Sequence, residues 1–382
     1  MSRTPSHPVR VVLITPGFRP EPGGVEEHTS RLADQFAALG LSVEVLTSSR
    51  RTRTPTTGRT DGITVTTFPA WRTKVMSISP RLLRASLRAG RDADVVHVHS
   101  YHAMNAAAVL ARRCTAHVVF TPHYHGAGHS SAARLLHVFY RRLGHRLFRA
   151  ADTVICVSEA ERAMVVGDFP FVADRIVVIP NGVDTGSLAA AAPFPDEART
   201  ILSLGRLEPY KRVADLVRVM PLIPPPTQLV IIGEGSARAS LENSVEELGL
   251  ESRVRFTGFV RTGEMQRWLR TAAVLVSLSD HEAFGMVPLE AVCAGARVVL
   301  SDIPAHREIV RDFLGPAAIC LPSGDADALA KAIQEQLWQP GRVHAELPDW
   351  SEVARRTVEV YLRRPDRDHR VNSSSMEKDG IR

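Results

Sequence analysis

Ala273-Val-Leu-Val-Ser-Leu278 and, two residues on, His281-Glu-Ala-Phe-Gly-Met-Val-Pro-Leu-Glu290 decide the fold of this chain. The first run is short, apolar and β-branched, the mark of a buried strand, and Pro288-Leu-Glu-Ala-Val-Cys-Ala294 reads as a helix. Phe284-Gly285 breaks the chain between them. Glu282 therefore falls at the carboxyl end of a strand, where open α/β sheets bind ligands. Glu290 lies about two helical turns further on, inside the first turns of the helix. Peptide N–H groups around Gly285 and Met286 face the same space and can hold an anion. Two carboxylates beside an anion site suit a ligand that carries both hydroxyls and phosphates, as a nucleotide-sugar does.

A second cluster repeats the arrangement. Ile201-Leu-Ser-Leu-Gly205 is a strand that runs into Arg206-Leu-Glu-Pro-Tyr-Lys211. Arg206 and Lys211 bracket a strand-to-helix turn, where an Arg fork and a Lys point charge can both engage a diphosphate. Two cations at a helix start oppose its dipole, so the pair is better explained with an anion present. Gly23-Gly24 likewise follows a first strand and opens a helix, with no side chains to keep an anion from the backbone N–H groups.

These pieces resemble the retaining glycosyltransferases of family 4, whose GT-B fold is two facing Rossmann-like domains with a cleft between them. The matching segments run in that family's order: Gly23-Gly24-Val25-Glu26, Thr121-Pro-His123, Val157-Ser158, Pro180-Asn-Gly-Val-Asp184, Gly205-Arg206 with Lys211, Gly233-Glu-Gly235, Gly258-Phe-Val260, and Glu282 to Glu290. The resemblance implies that Glu282 faces the hydroxyls of the donor sugar and Glu290 those of the ribose. It implies that His123 is the active-site histidine near the reacting centre, with His125 as its neighbouring rival. It also places Gly23, Gly24, Gly205, Gly233, Gly235, Val260, Phe284, Gly285, Met286 and Val287 around the donor. The implied activity is transfer of a sugar from a nucleotide diphosphate-sugar with retained configuration and no metal or other cofactor, in cell-surface polysaccharide or glycolipid synthesis. One departure stands out. Where many members carry paired glycines, this chain reads Ile303-Pro-Ala-His-Arg-Glu308, so the identity of the donor does not carry over.

Periodicity gives the same architecture independently. Apolar runs at 9–15, 42–47, 63–68, 94–99, 117–121 and 153–157 alternate with helix-like segments, and a second set follows at 201–204, 229–233, 254–257, 274–278, 297–301 and 318–321. Unbroken rather than alternating hydrophobicity indicates parallel strands buried on both faces. Two sets of six predict two doubly wound α/β domains. The expected division is 1–175 and 176–345, which the resemblance implies to be an acceptor-binding and a nucleotide-sugar-binding domain. A terminal helix is expected over 346–363, which the resemblance implies crosses back to the first domain, and 364–382 is expected to form a disordered tail. Residues 50–60 read as an exposed loop.

Composition bounds the function. The net charge of +6 conceals an asymmetry: residues 1–180 hold 23 Lys and Arg against 13 Asp and Glu, and the remainder 24 against 28. Residues 95–151 contain no acidic residue, but seven arginines and nine histidines. Such a field favours an anionic, lipid-linked or saccharide acceptor, or the surface of an anionic membrane. Nucleic acid is not expected, because aromatics are sparse and no recognised binding module appears. Scattered cysteines, an N-terminus without an apolar core and the lack of any membrane-length apolar run point to a cytoplasmic protein, peripheral on a membrane at most. Arg134–Arg149 is a basic amphipathic helix that could lie on a bilayer or pack its apolar stripe on its own sheet. His97-Val-His99 and His123-Tyr-His125 mimic metal-ligand spacing, but no cysteine or paired carboxylate completes a set, so no metal is expected. Alternatives from the residues alone are an epimerase or phosphorylase of the same architecture, a membrane-surface protein, or a non-catalytic partner that binds the nucleotide-sugar.

Overall fold

The computed structural model describes residues 7–21, 23–72, 77–101, 116–124, 144–195, 199–343 and 345–363. Two parallel sheets organise it. The first contains β1 (Arg10–Ile14), β2 (Ser42–Ser49), β3 (Thr56–Thr60), β4 (Ile63–Pro69), β5 (Val95–His99), β6 (His117–Thr121), β7 (Thr153–Cys156) and β8 (Ile176–Val178), in the order β8-β7-β6-β5-β1-β2-β4-β3. The second contains β9 (Thr200–Leu204), β10 (Gln228–Ile232), β11 (Val254–Gly258), β12 (Val274–Ser277), β13 (Arg297–Ser301) and β14 (Ala318–Leu321), in the order β11-β10-β9-β12-β13-β14. In each, the strand order reverses once, between β1 and β5 and between β9 and β12. Ligands of doubly wound sheets bind at that reversal, outside the carboxyl ends of the strands.

The apolar runs explain the layers. Val11, Val12, Leu13 and Ile14 are all buried, their successive side chains feeding cores on opposite faces of the first sheet. Leu229 to Ile232 and Val274 to Val276 do the same in the second. Residues 50–60 are not wholly a loop. Thr56–Thr60 forms an exposed edge strand, antiparallel to β4. The signal for it was Asp61-Gly62, both in the left-handed region (φ 52° and 81°), as a two-residue hairpin turn requires.

The change of sheet also falls later than the sequence division at 175/176. Ile176–Val178 pairs in parallel with Thr153–Cys156 as the edge of the first sheet. A three-residue apolar run reads equally well for either sheet, and only the pairing assigns it. The basic helix 134–149 is described from residue 144 on; there the chain is helical, and Leu147 and Phe148 are fully buried in the first domain's core. Residues 134–143, His125, Cys114 and the tail 364–382 lie outside the described residues. No helix among the described residues is long and apolar enough to cross a membrane.

Polar contacts tie the halves together at several points. Helix α1 (Gly24–Ala38) sends Arg31 Nη1 to Asp184 Oδ2 at 2.8 Å. At helix α2 (Glu159–Asp168), Ser158 Oγ donates to Ala283 O of the second domain at 2.6 Å. Glu308 accepts from Glu159 N and Ala160 N, each at 2.7 Å, so a carboxylate of one domain caps a helix of the other. The terminal helix Trp350–Leu362 lies on the first domain: Trp350, Val353, Ala354, Val360 and Tyr361 are buried with Leu13, Leu32 and Phe36.

Candidate active site

The loops leaving β9 and β12 meet at the reversal of the second sheet. After β9, Gly205 takes φ 149° and the chain turns through Arg206 to Lys211. A Cβ at Gly233 would lie 1.8 Å from Gly205 O, and one at Gly235 2.3 Å from Leu207 O. These two glycines are thus required by backbone packing of that turn, whatever else they face.

After β12, Ser279 and Glu282 fold back toward Lys211. Lys211 Nζ donates to Glu282 Oε1 at 2.5 Å, and Ser279 Oγ donates to the same oxygen at 2.8 Å. Burial raises the Glu282 carboxyl, but Lys211 and Ser279 outweigh it and hold the group below its ordinary range. Arg206 is exposed and donates to Tyr210 Oη at 2.7 Å, and the Tyr210 ring stacks on His281 with centroids 4.4 Å apart. An exposed guanidinium, an ammonium, a carboxylate and a hydroxyl are therefore gathered at one strand-end crevice.

Gly285 starts helix α3 (Met286–Cys293) in the left-handed conformation, φ 98°. Phe284 contributes no side chain to a ligand: it is 3% exposed and packed in the second domain's core. Met286 and Val287 are half-buried against the same core, and Val260 stands half-buried beside the strongly exposed Phe259 at the end of β11. Glu290 faces the other domain. Burial, then Glu27, raise its carboxyl to about 7, with Asp184 adding to the shift and Arg31 opposing it. The charges that act on it thus come from α1 and the linker.

His123 lies at the carboxyl end of β6, buried, in the left-handed region at φ 48°, an arrangement that costs about 1–3 kcal/mol and is found at functional sites. Gly23 is the N-cap of α1 at φ 157°, and Gly24 opens onto free space, with nothing within 4 Å of where a Cβ would stand.

Four residues escaped the sequence reading: Ser279, Tyr210, His281 and His306. Tyr210 and His281 had positional signals, since each sits within or beside a cluster already singled out. His306 had none. It lies in the departing segment, now seen as helix α4 (Pro304–Ile309), fully buried beneath Gly285. Its Nδ1 donates to Ser301 O at 2.9 Å, and Nε2 has no hydrogen-bonding partner among the described residues. Burial lowers its pKa, despite Ser301 and Glu282.

Comparison with known proteins agrees over nearly the whole chain. The family description "Glycosyltransferase Family 4" matches residues 22–187, and "Glycosyl transferases group 1" matches residues 186–356. Among curated relatives, a component of the phosphatidylinositol N-acetylglucosaminyltransferase of Arabidopsis thaliana is 28% identical over 377 residues, covering 93% of this chain and 82% of its own. The phosphatidyl-myo-inositol mannosyltransferase of Mycolicibacterium smegmatis is 28% identical over 375 residues, with 92% and 93% coverage. Among solved structures, sucrose-phosphate synthase from Thermosynechococcus elongatus has a TM-score of 0.73 at 20% identity, covering 92% of this chain and 98% of its own. Anabaena HepE in complex with UDP and glucose has 0.70 at 18%, with 91% and 98% coverage. The two matched regions adjoin, the sheets have the required order, and the chain belongs to the group 1 glycosyl transferases, with the two-domain GT-B fold.

Proposed function

We propose that this protein is a retaining glycosyltransferase that moves a sugar from a nucleotide diphosphate-sugar to an acceptor hydroxyl without a metal. The observation that carries this reading is the crevice at the β9/β12 reversal, where Lys211 is held against Glu282 and Arg206 is exposed nearby. A diphosphate entering there meets both cations, and Glu282 remains ionised to accept from sugar hydroxyls. Anabaena HepE, of the same fold, is solved with UDP and glucose.

In the proposed reaction the bond from the anomeric carbon to the diphosphate breaks, and one to the acceptor oxygen forms on the same face. The acceptor proton passes to a phosphate oxygen, so no dedicated protein base is required. Arg206 and Lys211 stabilise the charge growing on the leaving diphosphate, the electrostatic contribution that usually dominates. Glu290 accepts from the ribose hydroxyls, and His123 faces the sugar from the first domain. Closing the two domains aligns the acceptor and excludes water. Two relatives are named as acting on phosphatidylinositols, and with the basic first domain they favour an anionic lipid or lipid-linked acceptor in glycolipid or polysaccharide synthesis.

The test is a binding screen of the pure protein by thermal shift and calorimetry against UDP, GDP, ADP and their sugars. The expected result is stabilisation by one nucleotide diphosphate, lost in Arg206→Ala. Silence toward all of them would overturn the donor site and leave a membrane-surface or partner protein as the better account.

A further inference from the structure

The first sheet has its own reversal, between β1 and β5, and a histidine cluster fills it. His28 comes from α1, His99 from the end of β5 and His123 from beyond the end of β6; all three are buried. One ring nitrogen of each lies within 4.8 Å of the others, the one such metal-ready trio of side chains among the described residues. Ring centroids are 4.9 Å apart for His28 and His123, 5.3 Å for His28 and His99, and 6.0 Å for His99 and His123. Three imidazoles on a tetrahedral ion at a metal–nitrogen distance of about 2.0–2.1 Å would have their centroids roughly 5 Å apart. The trio is close to that spacing before any ion enters.

Hydrogen bonding separates these rings from ordinary core histidines. The neighbouring His97 is satisfied at both nitrogens, by Tyr361 Oη and Thr121 Oγ1, each at 2.7 Å. His99 is satisfied at neither: both its nitrogens are buried with no hydrogen-bonding partner among the described residues. A neutral imidazole always carries one N–H and one lone pair, and leaving such groups buried and unmet is unfavourable. His28 is oriented as metal ligands are. Its Nδ1 donates to Asn181 Oδ1 at 2.8 Å, which fixes the tautomer and leaves the Nε2 lone pair to bind.

We propose that His28, His99 and His123 form a binding site for zinc, with the fourth position open to water or an anion. The donor set selects the metal, since three imidazoles suit zinc and similar transition ions, whereas magnesium and calcium require oxygen ligands. Binding of zinc does not depend on the glycosyl-transfer reading. Its consequence does: a bound ion engages the His123 ring, so zinc inhibits turnover while chelators leave it intact.

The experiment is titration of metal-free full-length protein with Co²⁺ and Zn²⁺, followed by visible absorption and calorimetry. One tight Co²⁺ per chain is expected, with the intense visible band of a tetrahedral site, displaced by Zn²⁺. Other histidines among the fifteen could collect metal at the surface, so variants assign the site. His99→Asn should abolish the band, and Asn181→Ala should weaken binding by about 10–100-fold as loss of an orienting partner does. His145→Ala should change neither. A melting curve for each variant shows whether it is folded, and Asn181→Ala tests the site without removing a ligand. No tetrahedral band, or one that survives His99→Asn, overturns the site. Zinc binding without inhibition would leave the site standing and remove His123 from the proposed reaction.

Discussion

Lys211 and Glu282 form an ion pair, and the proposed donor site depends on it. Each is about one-fifth exposed at its side chain, so the pair is neither freely solvated nor sealed. Substrate diphosphate would share the ammonium with Glu282 and gain from its being fixed in place. Lys211→Ala should therefore reduce turnover by about 10²-fold or more, as for loss of a transition-state donor. Steady-state rates measure this, and a near-normal rate would remove Lys211 from the diphosphate. Glu290 behaves oppositely. Burial and Glu27 raise its carboxyl from an ordinary 4.5 to about 7. Between those values the folded chain keeps a proton that the unfolded chain has released, so the stabilisation is full below 4.5 and lost as pH rises through 7. Glu290→Gln does not titrate. Its melting temperature relative to the native chain should climb between pH 5 and pH 8, and a pH-independent difference would refute the raised carboxyl.

Among the elements, α4 joins the two domains directly, although it has only six residues. Its Glu308 supplies both oxygens to the first two amides of α2, while Ser158, the N-cap of α2, donates to Ala283 of the other domain. Helix α2 is therefore capped from within its own chain segment and from across the cleft. Glu308→Ala removes the second cap, at a cost of about 0.5–2 kcal/mol, the range for lost caps. Because the cap crosses between domains, the loss should also show as a larger radius of gyration in small-angle scattering of the ligand-free protein. Glu308→Gln keeps one acceptor oxygen and should fall between. If Glu308→Ala lowers the melting temperature but leaves the radius unchanged, the cap serves α2 alone and does not hold the cleft.

Across the whole molecule, what could be read from sequence follows from the range of the interactions concerned. Unbroken apolar runs such as Val11–Ile14 and Leu229–Ile232 mark buried parallel strands locally, so both sheets were legible, as was the Arg206–Lys211 turn. What depends on distant partners was not. Ile176–Val178 could belong to either sheet until paired, the buried His306 gave no local signal, and His28 joins His99 only through the fold. The terminal helix is another such long-range feature, now visible in detail. Tyr361 Oη contacts His97 Nδ1 and Trp350 packs edge-on to His28 at 5.5 Å, while its other apolar residues cover Leu32 and Phe36. At its start, a Cβ on Gly182 would lie 2.7 Å from Trp350 N, so linker and helix touch without space for a side chain. The helix thus completes the core of the first domain, although in sequence it follows the second. A chain ending at residue 349 should expose that core selectively. Hydrogen exchange followed by mass spectrometry should then find β1, β2 and α1 strongly deprotected, with β9, β10 and β12 close to their native rates. Uniform loss in both sheets would mean that the domains fold as one cooperative unit, and unchanged protection in β1 would mean that the helix only decorates the sheet it covers.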